Sequence, residues 1–243
     1  MKSILQNIIA YTHNLGFIDL VKITGTKGET VINAIAEDRS VIISGTLSAP
    51  CSEFIGTFGM PNLQKLKTIL SFDDYDENSK ITVNRRLRDE IDTPESIRFE
   101  TNTSDFVNDY RLMQKALVEE RIKNVTYKGT GWDVTFEPEV ANIMRLRKQA
   151  QANSEEKTFV TRLEKGDLRI YFGDPSTHSG NFVFAAGVGG TLTRDLTWPV
   201  SQVLSILSLP GDKIFRISDK GAIEIVVDSG MAVYGFLLPA QTK

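Results

Sequence analysis

A repeat in the order of elements constrains this chain more than any other feature of its 243 residues. Four segments space their apolar residues at the 3.6-residue period of a helix. They are 2–15 (Ile4, Leu5, Ile8, Ile9), 61–71 (Leu63, Leu66, Ile69, Leu70), 138–151 (Val140, Ile143, Met144, Ala150) and 199–209 (Val200, Val203, Leu204, Leu207). The last three open with Pro61, Pro138 and Pro199. Proline suits a first helical position, where its missing N–H would have no intrahelical partner. Pro61 and Pro199 lie 138 residues apart, and Ser3 and Pro138 lie 135 apart. Offsets this similar predict two copies of one unit: a helix, about four strands, a second helix and more strands.

Val-, Ile- and Phe-rich runs with partial alternation predict strands over 17–24, 29–36, 40–47, 53–58, 80–87 and 96–102. In the second half they predict 132–137, 157–163, 167–173, 180–186, 191–196, 213–218, 222–228 and 231–238. Residues 25–28, 165–166, 219–221 and 229–230 read as hairpin connections. The paired offsets place two domains at 1–110 and 131–243, joined by 111–130. Residues 103–131 break the strand rhythm and read in two ways. Either a surface helix packs Met113, Leu117 and Val118 on the body, or a connector presents them to a partner.

Net charge is -3, with 28 basic and 31 acidic side chains, which excludes a uniformly basic nucleic-acid binder. The charge is unevenly placed. The four helical windows carry +1, +2, +2 and 0, so the remainder carries -8. Their only acid is Glu139, in a first turn where the helix dipole favours a carboxylate. An ordinary solvated helix face mixes both signs. Faces without acids on an acidic chain point to a surface that meets a polyanion. A second cluster, Lys80, Arg85, Arg86 and Arg88, either extends that surface or protects a sheet edge from aggregation.

Catalytic patterns are missing. There is no HExxH, GxSxG or Walker A sequence, and the two histidines are His13 and His178. GVGG at 187–190 and GTG at 129–131 read as turns. The acidic run 73–78 fails as an EF-hand, because Ser79 and Arg85 stand where glycine and a bidentate carboxylate are needed. Cys51 is the only cysteine, which excludes an intrachain disulfide and fits a reducing, cytoplasmic setting. No apolar run approaches the roughly 18 residues of a membrane helix, so no membrane partner is expected. No cofactor or metal is implied, and the chain is not expected to be an enzyme.

The C-terminal stretch WPVSQVLSILSLPGDKIFRISDKGAIEIVVDSGMAVYGFLLPA resembles the end of a DNA polymerase sliding clamp. FEPEVANIMRLRKQAQANSEEKTFVTRLEKGDLRIYFGD resembles the start of a second clamp domain, and FIGTFGMPNLQKLKTILSF the middle of the first. The nearest likeness is to processivity clamps of tailed phages with their own replisome, and it is weakest over 73–130.

The resemblance implies an α+β, two-domain DNA clamp fold. Each domain would pack two helices on antiparallel sheets, and three chains would close a ring around double-stranded DNA. Implied partners are the replicative DNA polymerase, a clamp loader ATPase and other replication or late-transcription factors. If the chain is phage-encoded, the setting is the cytoplasm of the infected host. Carried over by position, the DNA-facing lumen receives Lys2, Lys65, Lys67, Arg145, Arg147 and Lys148, with Arg147 nearer the buried stripe. The fourth helix lacks basic residues and would rely on Gln202 and Ser205. The partner-peptide pocket would use Val41, Leu117, Val118, Phe236, Leu238 and Pro239; read without the resemblance, Leu238 and Pro239 could equally just close the core, and the short polar run 240–243 would be a frayed tail. Two competing expectations are a β-rich phage virion structural protein and an enzyme with an unrecognised, phosphate-directed site.

Overall fold

The computed structural model describes residues 1–88, 91–123 and 131–241. The chain divides into two compact units, Met1–Val125 with Ser229–Tyr234, and Thr126–Asp228 with Gly235–Lys243.

In the first unit the order is α1 (Lys2–Tyr11), β1 (Leu20–Gly25), β2 (Thr30–Ile35), β3 (Ile42–Leu47), β4 (Gly56–Pro61) and α2 (Leu63–Leu70). Then come β5 (Lys80–Arg88), β6 (Ile91–Glu100), β7 (Val107–Arg111) and α3 (Lys115–Arg121). The strands form antiparallel arrays in the orders β4-β1-β2-β3 and β5-β6-β7. α1 packs on α2, and Leu5, Ile8, Leu63 and Leu66 are fully buried. Residues 229–234 complete this core. Ser48 N–H donates to Met231 O at 2.8 Å. The Tyr234 ring stacks on Tyr11 with centroids 4.9 Å apart, and its hydroxyl donates to Asn7 Oδ1 at 2.8 Å. Gly45 makes room for that ring, because a Cβ there would lie 2.7 Å from Tyr234 Cδ1.

The second unit contains β8 (Val134–Phe136), α4 (Val140–Ala152), β9 (Thr158–Glu164), β10 (Asp167–Gly173), β11 (Ser179–Ala185) and β12 (Leu196–Pro199). It continues with α5 (Val200–Leu207), β13 (Asp212–Ser218), β14 (Ala222–Asp228) and β15 (Ala232–Pro239), of which Ala232–Tyr234 belong to the first unit. Its arrays run β12-β9-β10-β11 and β8-β13-β14-β15. α4 packs on α5. In both units the strand before the second helix pairs with the first strand of its array. The helices start 138 and 137 residues apart (Lys2 to Val140, Leu63 to Val200). The topology is therefore a repeat, and the α+β architecture with antiparallel sheets is the one expected.

Several boundaries differ from expectation. No proline opens a helix: Pro61 ends β4, Pro138 precedes the N-cap Glu139, and Pro199 is itself the N-cap of α5. The φ that proline fixes also fits the extended residue before a helix, where no donor is needed either. α1 stops at Tyr11, because the Thr12 hydroxyl bonds Ile8 O at 2.6 Å and Thr12 leaves helical geometry. The segment expected as a strand over 191–196 is mostly loop. Asp219 takes Thr193 N–H at 2.8 Å, and pairing with β9 begins only at Leu196. Residues 52–54 form a 3-10 turn, and the strand expected over 53–58 runs Gly56–Pro61. The hairpin at Lys165 and Gly166 has positive φ at both residues (53° and 87°), the geometry that a tight two-residue turn requires.

Residues 103–123 hold both a strand, β7, and a helix, α3. The remainder of the expected connector, 124–130, lies outside the described residues. α3 is fixed by a notch. Gly59 of β4 exchanges backbone bonds with Met113 at 2.9 and 2.8 Å, and a Cβ on Gly59 would lie 2.9 Å from Val118 Cγ2. Val118 is fully buried in that notch. Lys22 Nζ, itself buried, donates to Ile122 O at 3.1 Å at the C-terminal end of α3, where the helix dipole favours a cation. Burial holds the Lys22 ammonium below its ordinary range, while Glu119 acts in the opposite sense.

Gly59→Ala should force Val118 out of its notch and cost about 1–3 kcal/mol. Hydrogen exchange should show faster exchange concentrated at residues 113–122. Protection there equal to wild type would refute the notch.

Candidate nucleic-acid interface

α2 buries Leu63, Leu66, Ile69 and Leu70. At about 100° per residue, that stripe sends Gln64 and Thr68 down the middle of the exposed face, with Lys65 and Lys67 on its two flanks. Both lysines are exposed, and neither pairs with a carboxylate among the described residues. Gln64 Oε1 lies 3.0 Å from His13 Nε2, and the Thr68 hydroxyl bonds Gln64 O at 2.9 Å, so the midline polar groups are engaged locally. The helix start is held firmly. Asn62 Oδ1 accepts from Lys65 N–H at 3.4 Å, Asp19 Oδ1 accepts from Leu63 N–H at 3.1 Å, and the buried Tyr110 hydroxyl donates to Pro61 O. Sequence reasoning passed over Asp19 and Tyr110, because both act across the fold rather than within a motif.

α4 differs from its expected stripe. Leu146 is fully buried beside Ile143, whereas Val140 is 77% exposed and Met144 43% exposed. Placing Leu146 inward puts Met144 and Lys148 at the centre of the exposed face, with Arg145 and Arg147 flanking it. Among the described residues Arg145 reaches only Asn142 Oδ1, at 3.3 Å. Arg147 is exposed rather than turned toward the core, and its Nη2 donates to Ser208 Oγ at 2.8 Å, at the end of α5. α5 offers half-exposed Gln202 and Ser205. Lys2 is half-buried, and its Nζ donates to Tyr75 O, so it is anchored rather than free.

Two members of the basic cluster of 80–88, Arg85 and Arg86, are matched locally. Arg85 Nε bonds Asp92 Oδ2 at 2.6 Å, and its other donors reach Glu53 O, Ile55 O and Asp92 O. Arg86 lies 3.5 Å from Glu95. An open pocket of about 320 Å³ is lined by Ser52, Glu53, Ile55, Val83, Arg85 and Asp92, so the guanidinium in its wall is already satisfied by its neighbours.

Of the six residues expected in a peptide pocket, Val41, Val118, Phe236 and Leu238 have no solvent exposure. Along β15 the buried set is Ala232, Tyr234, Phe236 and Leu238, which fixes the inward phase of the strand. Leu117 on α3 is 54% exposed, and Pro239 is exposed. Of the tail expected to fray, Ala240 and Gln241 are tied, Ala240 N–H donating to Gly221 O and Gln241 N–H to Thr197 O, each at 2.9 Å, and 242–243 lie outside the described residues. Among the described residues, no cluster of His, Cys, Asp and Glu could hold a metal ion, and no helix is long and apolar enough to cross a membrane.

No protein-family model and no curated protein matches the chain. Solved structures match it along its length. PCNA from Thermococcus kodakaraensis aligns with a TM-score of 0.69 at 11% identity, covering 99% of this chain and 97% of that one. Proliferating Cellular Nuclear Antigen from Entamoeba histolytica gives 0.66 at 12% identity, covering 99% and 94%. A. fulgidus PCNA, solved with the C-terminal region of FEN-1 bound, gives 0.66 at 13% identity, covering 100% and 95%. The chain thus has the two-unit α+β fold of these PCNA clamp structures.

Burial raises the phenol pKa values of Tyr110 and Tyr234 well above the ordinary 10.0, with smaller contributions from Asp19 and Tyr11. A raised folded-state value means that this stability is complete below the unfolded phenol's pKa and is lost as pH rises past it. Stability should therefore fall above about pH 10. The tyrosinate absorbance of these two residues should appear only with unfolding, and Tyr110→Phe should flatten the alkaline slope. Ionisation of all six tyrosines in the folded protein would contradict this.

Proposed function

We propose that this chain is a DNA sliding clamp, a ring-shaped processivity factor that encircles duplex DNA and tethers the replicative DNA polymerase. One observation carries the reading: in a PCNA-type fold, the exposed faces of α2 and α4 hold Lys65, Lys67, Arg145, Arg147 and Lys148 with no carboxylate paired to them among the described residues. Such a surface suits phosphates. Contacts to phosphate carry no sequence information, as sliding requires. Lys2 contributes less, because it is anchored on Tyr75 O.

Closure as a homotrimer draws support from the repeat. In the first unit, Ser48, just past the end of β3, donates to Met231 O, just before the start of β15. The corresponding strands of the other copies of the motif are β7 and β11, and both are array edges. β11 (SGNFVFA) carries no charge and half-exposes Phe182 and Val183. An edge without charge or proline invites strand pairing unless it is covered. β7 of a second chain would cover it. A clamp loader ATPase would open the ring, and the clamp itself would catalyse nothing. Polymerase and other replication or late-transcription factors would dock apolar segments at exposed Leu117 and near Pro239. The nearness to phage clamps rests on the sequence resemblance, and a virion structural role has no observation of its own.

Light scattering should give a mass near three times 27.1 kDa. Loaded protein should stay on nicked circular duplex and slide off once the circle is cut; a monomer released equally from both would sink the proposal. Neutralising Lys65, Lys67, Arg145 and Lys148 together should lower processivity while leaving the melting temperature nearly unchanged. Leu117→Glu should weaken binding of a polymerase tail peptide by about 2 kcal/mol, and unaltered binding would move the docking site elsewhere.

A further inference from the structure

The acid-free face of α4 is not uniformly basic. Val140, Met144 and Lys148 follow one another at four-residue spacing, so they form one line along the exposed side, and Arg145 stands beside it. Val140 is 77% exposed and Met144 43% exposed, so both present apolar surface to solvent. The residues that serve the core, Ile143 and Leu146, leave no room for another reading of the helix's rotation. α2 provides the contrast: its midline holds Gln64 and Thr68, polar groups bonded to their own surroundings. Two apolar side chains one turn apart, in line with a lysine and flanked by an arginine, match a partner that alternates apolar and anionic groups along its length.

We infer that Val140 and Met144 form an apolar strip on α4 that meets the deoxyribose faces of the duplex backbone, while Arg145 and Lys148 take the adjacent phosphates. The inference rests on the reading of α4 as a DNA-facing helix, and it names a component of that contact that does not depend on counterion release. Deoxyribose carbons offer apolar surface between successive phosphates, identical for every base sequence. Contact of this kind needs no directional bond and so leaves sliding unimpeded. The charge around the strip selects the occupant: with Arg145, Arg147 and Lys148 exposed and no acid between them, the complementary surface is a polyanion.

Salt dependence separates the two components. Binding of a short fluorescent duplex would be measured by anisotropy across a salt series for wild type, V140S/M144Q, R145Q/K148Q and the conservative Met144→Leu. Each protein's trimer mass and melting temperature would be checked. V140S/M144Q should weaken binding about three- to tenfold at every salt concentration with an unchanged slope of log K against log salt, and Met144→Leu should bind as wild type does. R145Q/K148Q should reduce the slope by about 2 for each protomer in contact with the duplex. If R145Q/K148Q changes the slope but V140S/M144Q binds as tightly as wild type, the apolar strip is refuted and the DNA-facing helix stands. A changed slope in V140S/M144Q refutes it equally, because the residues would then act through the placement of charge. If R145Q/K148Q leaves the slope unaltered, α4 does not face DNA and the underlying reading fails with the inference.

Discussion

Leu66 and Leu146 are both fully buried, and the orientation of every cation on α2 and α4 follows from that. A helix that buries a single apolar stripe has its rotation about its own axis fixed by the residue at the centre of the stripe. With Leu66 inward, Lys65 and Lys67 must flank the outer face; with Leu146 inward, Lys148 must stand at its centre. The charges contribute little to folding, since even an exposed ion pair is worth no more than about 1 kcal/mol. Apolar burial therefore places them, and this lets an acidic chain present acid-free basic faces. The arrangement is used twice, because the same order of strands supports a helix pair in each unit.

Glycine and lysine perform the less visible task of holding α3. Gly59 lets Met113 and Val118 approach β4 more closely than any side chain would permit, and Lys22 closes the far end of the helix on Ile122 O. A buried lysine is costly unless its ammonium is satisfied. Here it satisfies a helix terminus that would otherwise leave carbonyls unbonded. The consequence is a helix that buries Val118 while its neighbour Leu117 stays in solvent.

The repeat, the four helices, most strands and the lack of acids on the helix faces were legible in the sequence. All of these depend on local periodicity and on charge, which survive without knowledge of contacts. Periodicity failed where a stripe was ambiguous: Val140 and Met144 fit a helical spacing with Ile143 as well as Leu146 does, and only packing against α5 and β11 chose between them. The same limit hid β7, a five-residue strand whose only fully buried side chain is Tyr110.

What the sequence determined by itself is the order of elements and the sign of charge on each helix, because both are properties of neighbours in the chain. Tertiary structure alone decided which cations remain free. Lys2 is anchored on Tyr75 O, 73 residues away, and Arg147 is drawn to Ser208, 61 residues away. Arg85 is consumed by Asp92 and the carbonyls of Glu53 and Ile55, while Lys65, Lys67 and Lys148 pair with no carboxylate among the described residues. It also decided that Phe236 and Leu238 belong to the core, since the inward phase of a strand is set by the surfaces on which its sheet packs. Such pairings form between groups that the chain brings together only on folding, so no local pattern encodes them.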